Sequence, residues 1–146
     1  MTVLGWREWV ALPQLGIAAI RAKIDSGARS SALHVESLSS HFEKGEEWVT
    51  FSVRTGVGDE LQTCLAPVQD RRPVTDSGGH TTERVFIRSR LLLDGRTLKV
   101  EINLTNRRNM LFPMLLGRTA MSGRFLIDPS KSFVLGDRDV SAGPTP

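Results

Sequence analysis

The chain has one cysteine, Cys64, so it cannot close an internal disulfide, and its thiol content implies no oxidising compartment. Long apolar runs are missing as well. No segment approaches the ~18 consecutive apolar residues of a membrane-spanning helix. The longest uncharged stretch of the N-terminal third, Val10 to Ile20, is broken by Pro13, Gln14 and Gly16. There is no basic leader followed by an apolar core and a small-residue cleavage site. A membrane partner is therefore not expected, and the expected setting is cytoplasmic. The Gly-x-x-x-x-Gly-Lys-Ser/Thr loop that cradles nucleotide phosphates is absent. So is His-Glu-x-x-His, and the candidate ligands His34, His41, His80 and Cys64 sit at no spacing suited to zinc. No metal and no other cofactor is expected.

What is present is the composition of an ordinary globular domain. Of 146 residues, 40% are apolar and 24% charged, with 19 basic against 16 acidic side chains for a net charge of +3. That length suits one domain, expected over residues 1–138, and is too short for a two-lobed enzyme. The tail 139–146, with little to bury, is expected to be disordered.

The dominant period is two, the signature of half-buried strands. Val49, Phe51 and Val53 alternate with polar neighbours, and Leu98, Val100, Ile102 and Leu104 alternate with Lys99, Glu101, Asn103 and Thr105. Val85 to Leu93 reads as a strand entering a hairpin at Asp94-Gly95. Further strands are expected at Val3–Leu12, Ile17–Ile24, Leu61–Val68, Phe125–Ile127 and Ser132–Leu135. Cys64, inside an alternating run, reads as a buried structural thiol. One or two short helices are expected, at Ser31–Leu38 and Arg118–Ser122. Many short strands at close spacing make the class mostly β, a small closed or partly closed barrel.

One segment carries chemistry. Lys23-Ile24-Asp25-Ser26-Gly27-Ala28 sets an acid at the end of an apolar strand, where a carboxylate needs hydrogen bonds to offset desolvation. Ser26 and the backbone N–H groups around Gly27 can supply them. Downstream, Phe112-Pro113-Met114-Leu115-Leu116-Gly117-Arg118 is an apolar strand ending in Gly-Arg. Asp-Ser-Gly-Ala after an apolar strand, a hairpin, then two apolar residues and Gly-Arg is the order of marks in retropepsin-like aspartic proteases, which the chain resembles. The segments Ile24 to His34, Asn106 to Arg118 and Phe125-Leu126-Ile127-Asp128 are more closely similar to a bacterial retropepsin-like family labelled ATP-dependent zinc proteases. Members of that family often occur beside glutamate-ligating ATP-grasp enzymes. The resemblance implies a small acid-protease β-barrel, an aspartic endopeptidase activity and a functional link to such a ligase. The residues support neither the zinc nor the ATP of the label.

Aspartic-protease chemistry uses two carboxylates sharing a proton around one water. A second tripeptide, Asp76-Ser77-Gly78, follows the charged run Gln69-Asp70-Arg71-Arg72-Pro73, which cannot be the buried strand a catalytic acid requires. Together with Gly79 it is expected at the tip of a flap hairpin spanning about residues 74–84, where glycines supply turn conformations. The second carboxylate is then Asp25 of another copy, in a homodimer. By resemblance, Ser26 hydrogen-bonds across the dimer axis, and Leu116 and Gly117 brace the turn of Asp25, Ser26, Gly27 and Ala28. Arg29 stands where viral retropepsins carry an acid, so Arg118 must find a partner other than that acid or face the cleft. Arg84, Arg88 and Arg90 share parity on one strand and are expected on one face; with Arg71, Arg72, Arg107 and Arg108 they could form a basic surface. Without interleaved aromatic residues such a surface does not suit nucleic acid; it reads first as an ordinary solvated face and second as a means of steering acidic peptides into the cleft. The alternatives are a non-catalytic peptide-binding barrel working with a ligase and, behind it, a zinc hydrolase.

Overall fold

The computed structural model describes residues 1–106 and 111–136. Arg107 and Arg108 of the expected basic surface, and the tail 139–146, lie outside the described residues. In chain order the elements are β1 (Thr2–Leu4), β2 (Arg7–Leu12), β3 (Ile17–Asp25), β4 (Ser31–His34), β5 (Ser37–Glu43), β6 (Glu46–Arg54), β7 (Leu61–Pro67), β8 (Asp70–Thr75), β9 (Thr81–Leu93), β10 (Arg96–Thr105), β11 (Met114–Gly117), α1 (Arg118–Met121) and β12 (Phe125–Ile127). A 3-10 turn, Pro13–Leu15, links β2 to β3.

Six strands close on themselves in the order β10-β4-β11-β3-β2-β9, with β9 returning to β10. The β2–β9 seam is a single pair, Ala11 with Leu92, so the ring is barely closed there. The expected mostly β, barrel-like fold with a short helix is what forms. Inside lie Val10, Ile20, Leu33, Ile87, Leu91, Ile102, Met114 and Leu116, all buried. The alternating residues of β10 meet those of β9 across a tight hairpin. Asp94 and Gly95 both have positive φ there, +57° and +67°, as a two-residue turn of this hand requires. Strands β5, β6 and β7 form a separate meander that packs Val49, Phe51, Cys64 and Ala66 against the barrel. Burial pushes the Cys64 thiol up to about 11, as suits an inert structural group.

Four expectations change. Ser31–Leu38 is not helical: Ser31 to His34 pair parallel with β10, Ala32 and Leu33 also pair antiparallel with β11, and tertiary pairing overrides a weak local preference. Val3–Leu12 is two strands. The break is at Gly5, where a Cβ would lie 2.4 Å from the Lys131 carbonyl oxygen. Ser132–Leu135 forms no strand; it hooks onto β2, because the buried Glu8 carboxylate accepts the N–H groups of Val134 and Leu135 as well as Gly5. Arg84, Arg88 and Arg90 do share a face, but Arg84 is only 8% exposed while the other two are open to solvent. Near the ends of the described chain, β1 and β12 pair with each other in parallel within one protomer.

Candidate active site

Asp25 is the last residue of β3, where the strand leaves the apolar core. Strand β11 lies parallel beside it and sets Leu116 against Ile24 and Gly117 against Asp25. The chain then turns sharply. The Gly27 N–H donates to Asp25 Oδ1 at 3.0 Å, and the Ala28 N–H donates to the Asp25 carbonyl at 3.3 Å. The start of α1 holds the far side of this turn: the Arg118 N–H donates to the Ala28 carbonyl at 2.7 Å, and the Thr119 N–H and hydroxyl both donate to the Arg29 carbonyl. Arg118 also reaches back through Nη1 to the Ser26 carbonyl at 3.1 Å, which is how it is satisfied.

Gly117 is indispensable to this geometry. A Cβ there would lie 2.4 Å from the Ser30 carbonyl carbon and 2.5 Å from its oxygen, backbone atoms that cannot step aside. Its N–H donates to the buried Ser31 hydroxyl at 3.0 Å. The sequence-predicted residues Asp25, Ser26, Gly27, Ala28, Leu116, Gly117 and Arg118 therefore come together at one point of the barrel.

Strands β8 and β9 pair from Asp70–Phe86 to Thr75–Thr81 and form a hairpin whose tip holds Asp76, Ser77, Gly78 and Gly79. Asp76 Oδ1 accepts the N–H groups of Gly78 and His80, and Gly79 adopts φ +84°. Between this hairpin and the Asp25 turn lies a cleft of about 960 Å³. Asp25, Gly27, Ala28 and Arg118 line one side, and Val74, Thr75, Asp76 and Ser77 line another. Ser26, Leu116, Gly117, Gly78 and Gly79 do not line it. Its charged lining comprises Arg29, Arg72, Arg84, Lys99 and Arg118 against Asp25, Asp76 and Glu101, an excess of positive charge.

Several cleft residues were not legible as site residues. Arg72 lies 3.7 Å over the Phe86 ring and pairs with Asp70 and with Glu101, at 2.8 and 3.2 Å. The Gln69 amide also donates to Glu101 at 2.9 Å. The hydrogen bond from Gln69, then the Arg72 guanidinium, holds the Glu101 carboxyl below its ordinary range. Asn103 and Arg84 meet at 2.9 Å inside the cleft wall. Alternation put Asn103 on the solvent face of β10, yet it is 2% exposed and bonded to Arg84 on one side and to Ser30 and Ser31 on the other. No periodicity signals those bonds. His34, at the end of β4, faces Glu36 at 3.8 Å and does not line the cleft. Zinc does not fit these residues: His34, His41, His80 and Cys64 are dispersed over β4, β5, the flap tip and β7. Among the described residues no three His, Cys, Asp or Glu side chains converge on a point.

Comparison with known proteins agrees with this geometry. The family described as RimB-like, "Retropepsin-like aspartic endopeptidase RimB", matches residues 3–138. Proteins named "Probable alpha-L-glutamate ligase" from Shewanella pealeana and Desulfotalea psychrophila are 41% and 40% identical, over 93% and 92% of this chain. The chain spans about 30% of the length of these relatives. A Legionella pneumophila crystal structure of unknown function (DUF785) superposes with a TM-score of 0.75 at 25% identity, over 91% of this chain and 97% of that one.

Proposed function

Because the chain belongs to the RimB-like family of retropepsin-like aspartic endopeptidases, we propose that it hydrolyses peptide bonds as a homodimer in which each copy supplies Asp25. The observation that carries this reading is the fate of the three acids of the cleft. Asp76 is committed to the flap turn and Glu101 to Gln69 and Arg72. Asp25 alone ends a buried strand in a glycine-braced turn that opens on the cleft. One such carboxylate per chain needs a second chain, and a two-fold axis through the site supplies it.

In the dimer the two Asp25 carboxyls share one proton and hold a water between them. The ionised member takes a proton from that water as its oxygen bonds to the scissile carbonyl carbon. The protonated member gives its proton to the carbonyl oxygen, which yields a neutral gem-diol. Collapse breaks the C–N bond: the departing nitrogen takes a proton from the carboxyl pair, one gem-diol hydroxyl returns a proton to the pair, and the acid and amine products leave with the pair again sharing one proton. Ser26 of each copy reaches across the axis, and the flap around residues 74–84 closes over the bound peptide. The positive lining favours acidic peptides, and the relatives named as glutamate ligases fit a partnership with an ATP-grasp enzyme that makes them.

The test is cleavage of a peptide library, with acidic members, by the wild type and by Asp25→Asn, with chelator present and sedimentation run alongside. Cleavage by a dimer that Asp25→Asn abolishes is expected. Equal cleavage by both proteins, or cleavage by a strict monomer, overturns the mechanism. A second reading rests on the relatives' size: a domain spanning about 30% of proteins named for ligation could serve them as a peptide-binding module. Peptide binding without cleavage would establish that reading instead.

A further inference from the structure

The flap and the Asp25 turn are joined by a buried polar chain. Arg84, in the flap strand β9, donates from Nη1 to Asn103 Oδ1 at 2.9 Å and from Nε to the Thr82 hydroxyl at 3.2 Å. The Asn103 amide donates in the other direction, to the Ser31 carbonyl at 2.9 Å and the Ser30 hydroxyl at 3.2 Å. Ser31 accepts the Gly117 N–H through its own hydroxyl, and Gly117 stands in register with Asp25. Arg84, Asn103 and Ser31 are 8, 2 and 1% exposed.

An amide suits the middle of this chain because it presents opposite polarities to its two neighbours. Its oxygen meets a guanidinium and its nitrogen meets a carbonyl and a hydroxyl. No apolar residue could make either bond. An aspartate would meet the guanidinium but turn a second acceptor toward the Ser31 carbonyl. A buried polar network that satisfies its members behaves as one stiff unit, since displacing any member strands its neighbours away from water.

We infer that Arg84 and Asn103 are positioning residues that couple the flap to the Asp25 turn, so that closure over substrate and presentation of the carboxylate occur together. The inference adds to the peptidase reading and rests on it only for its kinetic consequence. Lifting the flap root pulls on Arg84, Asn103 and the Ser30–Ser31 backbone, against which Gly117 is packed without clearance. With the flap open the Asp25 turn is relaxed; with it closed the turn is held.

The chain can be cut at either end. Arg84→Met removes the flap bond and leaves Asn103 able to donate to Ser31. Asn103→Asp keeps an acceptor for Arg84 and removes the donation to Ser30 and Ser31. Amide hydrogen exchange on the full chain reads both ends at once, in β8 with the first half of β9 and in residues 117–119, with β6–β7 as the internal reference. Each variant is expected to speed exchange at both ends by about 10-fold or more while β6–β7 is unchanged. Loosening confined to the end that was cut overturns the coupling. If Arg84→Met speeds exchange in β6–β7 too, Arg84→Lys, which keeps the charge and most of the stem, replaces it in the same comparison. In turnover, both variants should hold KM within about threefold and lose kcat by about 10- to 100-fold, the scale of a small misplacement of reacting groups. A wild type that cleaves nothing would sink the peptidase reading, and the exchange data would still decide the coupling.

Discussion

The chain writes Asp-Ser-Gly twice, and the two copies fold alike at short range. In Asp25-Ser26-Gly27 the glycine N–H donates to the aspartate Oδ1 at 3.0 Å; in Asp76-Ser77-Gly78 the same bond measures 2.9 Å. Everything that separates them is distant in sequence. Asp25 ends a nine-residue strand that runs through the core, with Gly117, Arg118 and Thr119 brought against its turn from some ninety residues away. Asp76 caps a hairpin in which β8 and the first three residues of β9 are exposed or half-buried, and its oxygen accepts N–H groups two and four residues on. A tripeptide thus fixes a turn, and the strand pairing around it decides whether that turn is rigid enough to carry an acid.

The sharpest way to break this comparison is to make the same substitution in both copies. Asp25→Asn should lower peptide cleavage by about 10⁴-fold or more, the scale seen when one essential member of a catalytic unit is removed. Asp76→Asn retains an acceptor oxygen for Gly78 and His80, so turnover should change by less than about 10-fold. Comparable losses from both, measured as kcat/KM on one peptide, would mean that the flap aspartate takes part in the chemistry.

The glycines give a second contrast, in stability. Gly117→Ala drives a Cβ into the Ser30 backbone and should cost about 3 kcal/mol or more, the upper range for overpacking. Gly79→Ala meets nothing within 4 Å and bears only the strain of its left-handed conformation, about 1 kcal/mol. Denaturant midpoints of the two variants test the ordering; equal losses would mean that the flap tip is braced as firmly as the Asp25 turn.

The two regions also differ in how far the residues alone disclose them. The Asp25 side was legible because its parts are strongly patterned: an apolar strand, a small-residue turn, and a second apolar strand ending in Gly-Arg. The flap was legible as a hairpin, since Asp76-Ser77-Gly78-Gly79 offers turn residues and nothing to bury. What could not be read was the joint between them. Asn103 looks like every other outward residue of β10, and Arg84 looks like Arg88 and Arg90; both are buried, bonded to each other and, through Asn103, to the distant Ser30 and Ser31, which no local pattern discloses. The helix expected at Ser31–Leu38 failed for a related reason. Ser31 and Ala32 are committed to partners on β10 and β11, and a four-residue strand between two others has too short a pattern to announce itself.

The smallest effect concerns how the flap root is fastened. Arg72 of β8 pairs with Glu101 of β10, and the Gln69 and Arg72 hydrogen bonds hold the Glu101 carboxyl below its ordinary range. A carboxyl depressed in the folded state binds fewer protons there than in the unfolded chain at the same pH. Its stabilising contribution is therefore complete above the unfolded pKa of about 4.3 and is lost as pH falls through the lower folded value. The pair is more than a third exposed, so solvent screening keeps that contribution under about 1 kcal/mol. Glu101→Gln should lower neutral-pH stability by that small amount, leave stability unchanged where the wild-type carboxyl is protonated, and so flatten the acid limb of the stability curve. Flap protection, corrected for the intrinsic pH dependence of amide exchange, should fall in wild type below about pH 4 and lose that dependence in the variant. An acid limb identical in both proteins would show that Arg84 and Asn103, rather than the Arg72–Glu101 pair, hold the flap root to the barrel.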